Sequence, residues 1–174
     1  SGTADQRHLT AAAYLHDLVN VSKGSAQRSQ ASRLSAEAAG PILEQLEFNS
    51  DEIAAIQHSI TAHSFSANIP PETLEAKILQ DADRMESVGA LGIARTFYTA
   101  GKLSSLLFDG DDPFAEGRDL DDKRFAVDHF KAKLLGLSAT MQTAAGKVMT
   151  QERSEFMHRY LEQLAHEIGS DLRG

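Results

Sequence analysis

Apolar residues recur along this chain at spacings of three and four and nowhere alternate with polar ones over a convincing length. That periodicity predicts helices throughout and no strand. The first helix is expected from about Ala4 to Asn20. Leu9, Ala12, Ala13, Tyr14, Leu15 and Leu18 leave little polar surface near its end, so that end is expected to be deeply buried. A second helix follows from about Ser29 to Glu47, kinked or split at Gly40-Pro41. Ser50-Asp51-Glu52 reads as a helix start, a hydroxyl cap followed by first-turn acids, and Ile53, Ile56 and Ile60 continue the apolar face. A long helix is predicted from about Glu72 to Ala100, with Gly89 and Gly92 permitting close packing. Another is predicted over Asp121 to Leu135, and a last one from Ser138 to about Ile168. Between them, Asp109-Gly110-Asp111-Asp112-Pro113 lacks the full ligand pattern and closing Glu of a calcium loop and reads as a solvated acidic turn.

Composition narrows the function classes. A chain of 174 residues is expected to form a single domain over 1–174, with the long C-terminal helix, about 138–168, packed on it. With no cysteine there is neither a disulfide framework nor a thiolate metal site. No apolar run reaches membrane-spanning length and no signal peptide opens the chain, so a cytoplasmic location without membrane partners is expected. The net charge of -8 argues against stable nucleic-acid binding but not against a small phosphorylated substrate held by a local basic pocket or a metal. Self-association is left open.

Two stretches break the apolar pattern in the same way. Ala13-Tyr14-Leu15-His16-Asp17-Leu18 runs a helix into an adjacent imidazole and carboxylate, and Ile78-Leu79-Gln80-Asp81-Ala82-Asp83-Arg84-Met85 sets carboxylates into a segment built for burial. Buried charges must be paired or hold a metal, so the two stretches are expected to be halves of one site. A His-Asp pair alone is weak evidence, because the seven histidines and thirteen aspartates of this sequence make about 0.5 such pairs expected by chance. On a regular helix His16 and Asp17 would point roughly 100° apart, so they can share an ion only at a helix end. His58 is expected to hydrogen-bond structurally. His63, at a helix end before Ser64-Phe65-Ser66, is better placed for substrate or an extra metal. Lys23 and Arg28, with Ser29, follow the His-Asp pair on its loop and suit phosphate capture in an otherwise acidic chain.

Together with His63-Ser64-Phe65-Ser66, Gly89-Ala90-Leu91-Gly92-Ile93-Ala94-Arg95, Leu107-Phe108-Asp109-Gly110-Asp111-Asp112-Pro113-Phe114, Leu120-Asp121-Asp122-Lys123-Arg124 and Asp128-His129-Phe130-Lys131, these strings resemble the HD-domain superfamily of metal-dependent phosphohydrolases, in its bacterial YedJ-type branch. The resemblance covers His16 to about Arg153. It implies an all-α HD-domain bundle of about six helices. It also implies a divalent cation (Mn, Mg or similar) held by His16, Asp17 and Asp83, the acid of the Ala-Asp-Arg string, with Asp81 in a supporting role. The superfamily's first ligand His lies on an earlier helix. Only fifteen residues precede His16, so that helix is expected to be missing: either the sequence is a piece of a longer protein or this version has lost a ligand. Some members place a catalytic acid three residues after the pair, where this chain has Asn20, which cannot act as a base.

The function expected on these grounds is hydrolysis of a nucleotide or related phosphate ester or anhydride by metal-activated water. His16, Asp17 and Asp83 would hold the ion, Lys23 and Arg28 would bind phosphate, and His63 would contact substrate. The alternative is a nucleotide-binding or regulatory module that keeps the site but lacks turnover.

Overall fold

The structure, a computed structural model, describes residues 3–21 and 28–170. Its elements are helical: α1 Gln6–Leu15, α2 Ala31–Gln45, α3 Ser50–His63, α4 Leu74–Met85, α5 Gly89–Lys102 and α6 Ala144–Ile168. Among the described residues there is no strand, only an isolated parallel bridge between Leu106 and Phe125, and no helix is long and apolar enough to cross a membrane. The fold is all-α, as the periodicity requires. The chain divides into two compact units, Ser1–Asp83 and Arg84–Gly174.

In the first unit α2 and α3 form an antiparallel hairpin, joined by a tight turn in which Glu47 takes a left-handed φ of 57°. The cap is Asn49 rather than Ser50, which is the first residue of the helix. The Asn49 side chain accepts from the Asp51 and Glu52 amides, while Glu52 reaches back to the Asn49 amide in a full capping box. Gly40-Pro41 does not split α2. Proline lies inside the helix, and Gly40 lets the side chain of Gln57 pass close by, 3.1 Å from where a Cβ would sit. That amide donates to the Ala36 carbonyl at 2.9 Å, which sets the hairpin's register. The core here is built of small and branched residues: Ala12, Ala36, Ala39, Leu43, Phe48, Ile56, Ile60 and Leu79. Alanines at the contacts allow the helices to approach closely.

Several expected helix spans need correction. α1 stops at Leu15, five residues early, and its end is not buried: Tyr14 is 84% exposed and Leu18 43%. The apolar stretch is real, but Ala12 alone of it is in the core. The long helix over 72–100 is two helices. The chain turns at Glu86–Val88, and Gly89 opens α5 with a φ of +74°, a conformation that glycine adopts without strain. Gly92 then packs on that turn, where a Cβ would run into the Ser87 carbonyl. The last helix begins at Ala144, with residues 137–140 forming a 3-10 turn before it.

Residues 121–135 are not one helix either. Apart from a π-helical turn at Phe130–Leu134, the segment is held by side chains bonding backbone and by the bridge to Leu106. Asp121 accepts from the Lys123 and Arg124 amides, and buried Asp128 accepts from the Asp121 amide and, through both oxygens, from Arg118 at 2.6 and 2.8 Å. Phe125, Ala126, Val127 and Asp128 are buried in succession, which a helix face cannot do. The acidic turn is as expected. Asp109 accepts from the Asp111 and Asp112 amides, and Asp112 from those of Glu116 and Gly117. The core of this second unit joins Val88, Ile93, Phe114, Val127, Phe130, Leu134, Met157, Leu161 and Ala165.

Two outcomes follow for the second unit. Arg118→Ala strands the Asp128 carboxylate in the core and should cost about 3 kcal/mol, read as a lower denaturant midpoint; an unchanged midpoint would contradict the role given to the pair. Hydrogen bonds from the Asp112 amide to Asp109, from the Glu116 amide to Asp112, and from Lys133 to Asp122 hold these three carboxyls below the usual range. Their contribution is therefore complete above the ordinary carboxylate value of about 3.9 and is lost as pH falls through their lower folded values. Thermal melts should show the loss beginning below about pH 4, and Asp122→Asn should make the melting temperature less sensitive to acid there.

Candidate metal centre

An α-helix leaves the carbonyls of its last turn without amide partners. α1 and α3 meet that need in the same way. His16, the residue after α1's last turn, bonds through Nδ1 to the Ala13 carbonyl at 2.7 Å. His63, the last residue of α3, bonds through Nδ1 to the Ile60 carbonyl at 2.5 Å. A carbonyl oxygen can only accept, so Nδ1 carries the hydrogen in both rings and a neutral ring presents the Nε2 lone pair.

Both Nε2 atoms face one carboxylate. His16 Nε2 lies 3.8 Å from Asp17 Oδ2, and His63 Nε2 lies 3.8 Å from Asp17 Oδ1. The two rings meet edge to face, with centroids 4.9 Å apart and planes at 85°. One ligand atom from each of the three residues lies within 4.8 Å of the other two. These separations are too long for hydrogen bonds. They approach the roughly 3 Å between neighbouring ligand atoms around a cation bonded at about 2.0–2.2 Å. The carboxylate is exposed and His63 is buried, so the trio has a solvent side, where other ligands can enter, and a fixed side.

The scaffold around the trio consists of residues that sequence reasoning passed over. The Val19 amide, two residues past Asp17, donates to Ser35 Oγ at 3.1 Å and fixes the exit from α1 on α2. Gln80, nearly fully buried on α4, donates to the Ala62 carbonyl at 2.7 Å and ties α4 to the residue before His63. A buried Ser in an alanine-rich stripe and a Gln inside an apolar run are the only sequence signals for either.

The other expected site residues fall out as follows. Asp83 is half-buried in the last turn of α4 and is not one of the three that meet. Asp81 is 2% exposed. Lys23 and the side chain of Arg28 lie outside the described residues. His58 accepts from the Glu72 amide at 3.0 Å, a structural bond that occupies its Nε2. Asp128 and His129, quoted above only for the family resemblance, are engaged within the second unit, with Arg118 and Asp122 respectively.

The HD domain family model matches residues 2–87. The chain is similar to the Bacillus subtilis protein YpgQ, at 32% identity over 175 residues covering 95% of this chain and 74% of YpgQ. A crystal structure of YpgQ in complex with ADP matches with a TM-score of 0.71 at 32% identity, over 94% of this chain and 75% of that one. A Bacillus thuringiensis HD-superfamily hydrolase matches with a TM-score of 0.64 at 24% identity, over 95% and 86% of the two chains, and that likeness speaks to the fold.

Losing a residue that merely orients a ligand weakens metal sites by about 10–100-fold. His63→Ala and Asp17→Asn should each weaken Mn binding by at least that much in a calorimetric titration, with helix content unchanged. Undiminished affinity in His63→Ala would remove it from the centre.

Proposed function

The chain belongs to the HD-domain family, and from that premise we propose that it is a divalent-metal-dependent phosphohydrolase acting on a nucleotide. The observation that carries the reading is the pair of imidazoles whose Nε2 atoms, with tautomers set by the Ala13 and Ile60 carbonyls, face the two oxygens of Asp17. His16, His63 and Asp17 would hold the cation. Asp83 is kept as a fourth ligand on the strength of the family resemblance. Two nitrogen donors suit Mn or a similar transition ion better than Mg, which prefers an all-oxygen shell. When bound, the cation supplies Lewis-acid polarisation of a phosphoryl oxygen and lowers the pKa of water.

The chain's own groups do the rest. Asp17 brings a negative charge that offsets the cation, and its exposure leaves room for a phosphate oxygen on the solvent side. Buried His63 fixes the opposite wall. Lys23 and Arg28, on the loop after the pair, would neutralise phosphate charge that the cation leaves uncovered. Asn20, three residues past Asp17, has no basic group to offer, so no proton transfer is assigned to that position. YpgQ has been crystallised with ADP, and that supports a nucleotide as the ligand of this chain.

Nucleoside mono- and triphosphates incubated with the protein and Mn should yield free phosphate or pyrophosphate. Asp83→Ala and Asp17→Asn should each reduce turnover by about 100-fold or more. Nucleotide binding without product under every metal tried would favour a regulatory binding module instead.

A further inference from the structure

The register of the α2/α3 hairpin places a second feature at the same end of the first unit as the metal trio. Gln57 of α3 bonds the carbonyl of Ala36 in α2. The helices run antiparallel, so six residues further along α3, at His63, the facing level of α2 is about Gln30. The chain after His63 folds into a 3-10 turn, Phe65–Ala67. Between that turn and the start of α2 lies a cleft of about 410 Å³, lined by Ser29, Gln30, Arg33, Leu34, Glu37 and Ala67. Its volume is within the range of small-molecule sites, about 300–1,000 Å³.

Among the described residues that line it, the one cationic side chain is Arg33, one turn of α2 away from the level of His63. In a chain of net charge -8, arginines tend to be taken up by the protein itself. Arg7, Arg95 and Arg118 pair with carboxylates, Arg84 and Arg153 donate to carbonyls, and Arg124 and Arg159 lie over the rings of Phe125 and Phe156. Among the described residues Arg33 makes no ion pair, although Glu37 lies one turn away in the same cleft. A guanidinium without an ion-pair partner among the described residues, in a polar cleft one helical turn from the level of a centre that would hold a cation, suits a phosphate group in shape and charge. Glu37 and the Ser29 hydroxyl add acceptors for hydroxyl donors, while limiting the total negative charge the cleft can take. That combination suits a phosphate carried on a sugar better than a free polyphosphate.

We propose that this cleft receives the phosphate and sugar of the nucleotide, with Arg33 as the cation that recognises phosphate away from the metal. The proposal deepens the nucleotide reading above and rests on it. Arg33 is a binding residue here, and its removal should act on nucleotide affinity and not on the metal centre.

The test is a calorimetric titration of ADP into the complete chain loaded with Mn, for the wild type, Arg33→Ala and Arg33→Lys, with Mn affinity measured on each. Loss of a charged hydrogen-bond partner predicts ADP binding about tenfold or more weaker in Arg33→Ala. Arg33→Lys should fall between, since an ammonium keeps the charge but not the bidentate fork. Mn affinity should stay the same in all three. Unchanged ADP affinity in Arg33→Ala, with the wild type binding well, would overturn the cleft assignment and leave the nucleotide reading standing. Parallel loss of Mn affinity would also overturn it, because Arg33 would then act through the metal centre. A wild type that binds Mn but not ADP would sink both readings. Position 33 is exposed on a helix, so both variants should fold, and circular dichroism checks that they do.

Discussion

The hydrogen bond from a helix-terminal imidazole to the carbonyl three residues back is the interaction on which the centre depends. It satisfies an acceptor that the helix cannot satisfy itself, and it leaves the other ring nitrogen bare and aimed. His16 and His63 both make it, at the ends of two different helices of the first unit. Without it each ring could rotate or take the other tautomer, and Nε2 would not face Asp17 in either case.

That requirement explains why α1 is short. His16 and Asp17 follow each other in sequence, and on a continuous helix their side chains would diverge by roughly 100°. Ending the helix at Leu15 frees the Asp17 backbone to bring its carboxylate round between the two rings. The exit is then held by Ser35, and the His63 end by Gln80 reaching Ala62. Tyr14 and, past the helix, Leu18 are exposed where the chain leaves the core, while Leu15 still packs against it.

Much of this was legible in the sequence, and the misses have physical reasons. Helical spacing gave the fold class and the existence of α1 to α3 and α6, because burial of one helix face is a periodic signal. His16 and Asp17 stood out as polar groups in apolar context, and His63 as a helix-end histidine. The break between α4 and α5 was hidden because apolar spacing runs through Glu86–Val88 and only the φ of Gly89 marks the turn. Residues 121–129 were misread because Asp121 and Asp128 use their side chains to hold the backbone, a long-range arrangement that needs Arg118 in place. Ser35 and Gln80 carry their roles only through partners distant in sequence, Val19 and Ala62.

Pulsed electron paramagnetic resonance of the Mn-loaded protein counts the imidazole nitrogens bound to the metal and so tests the central claim directly. The structure predicts nitrogen couplings from two histidines of the described centre, one of which disappears in His63→Ala. A spectrum with a single histidine coupling, unaltered in His63→Ala, would contradict it.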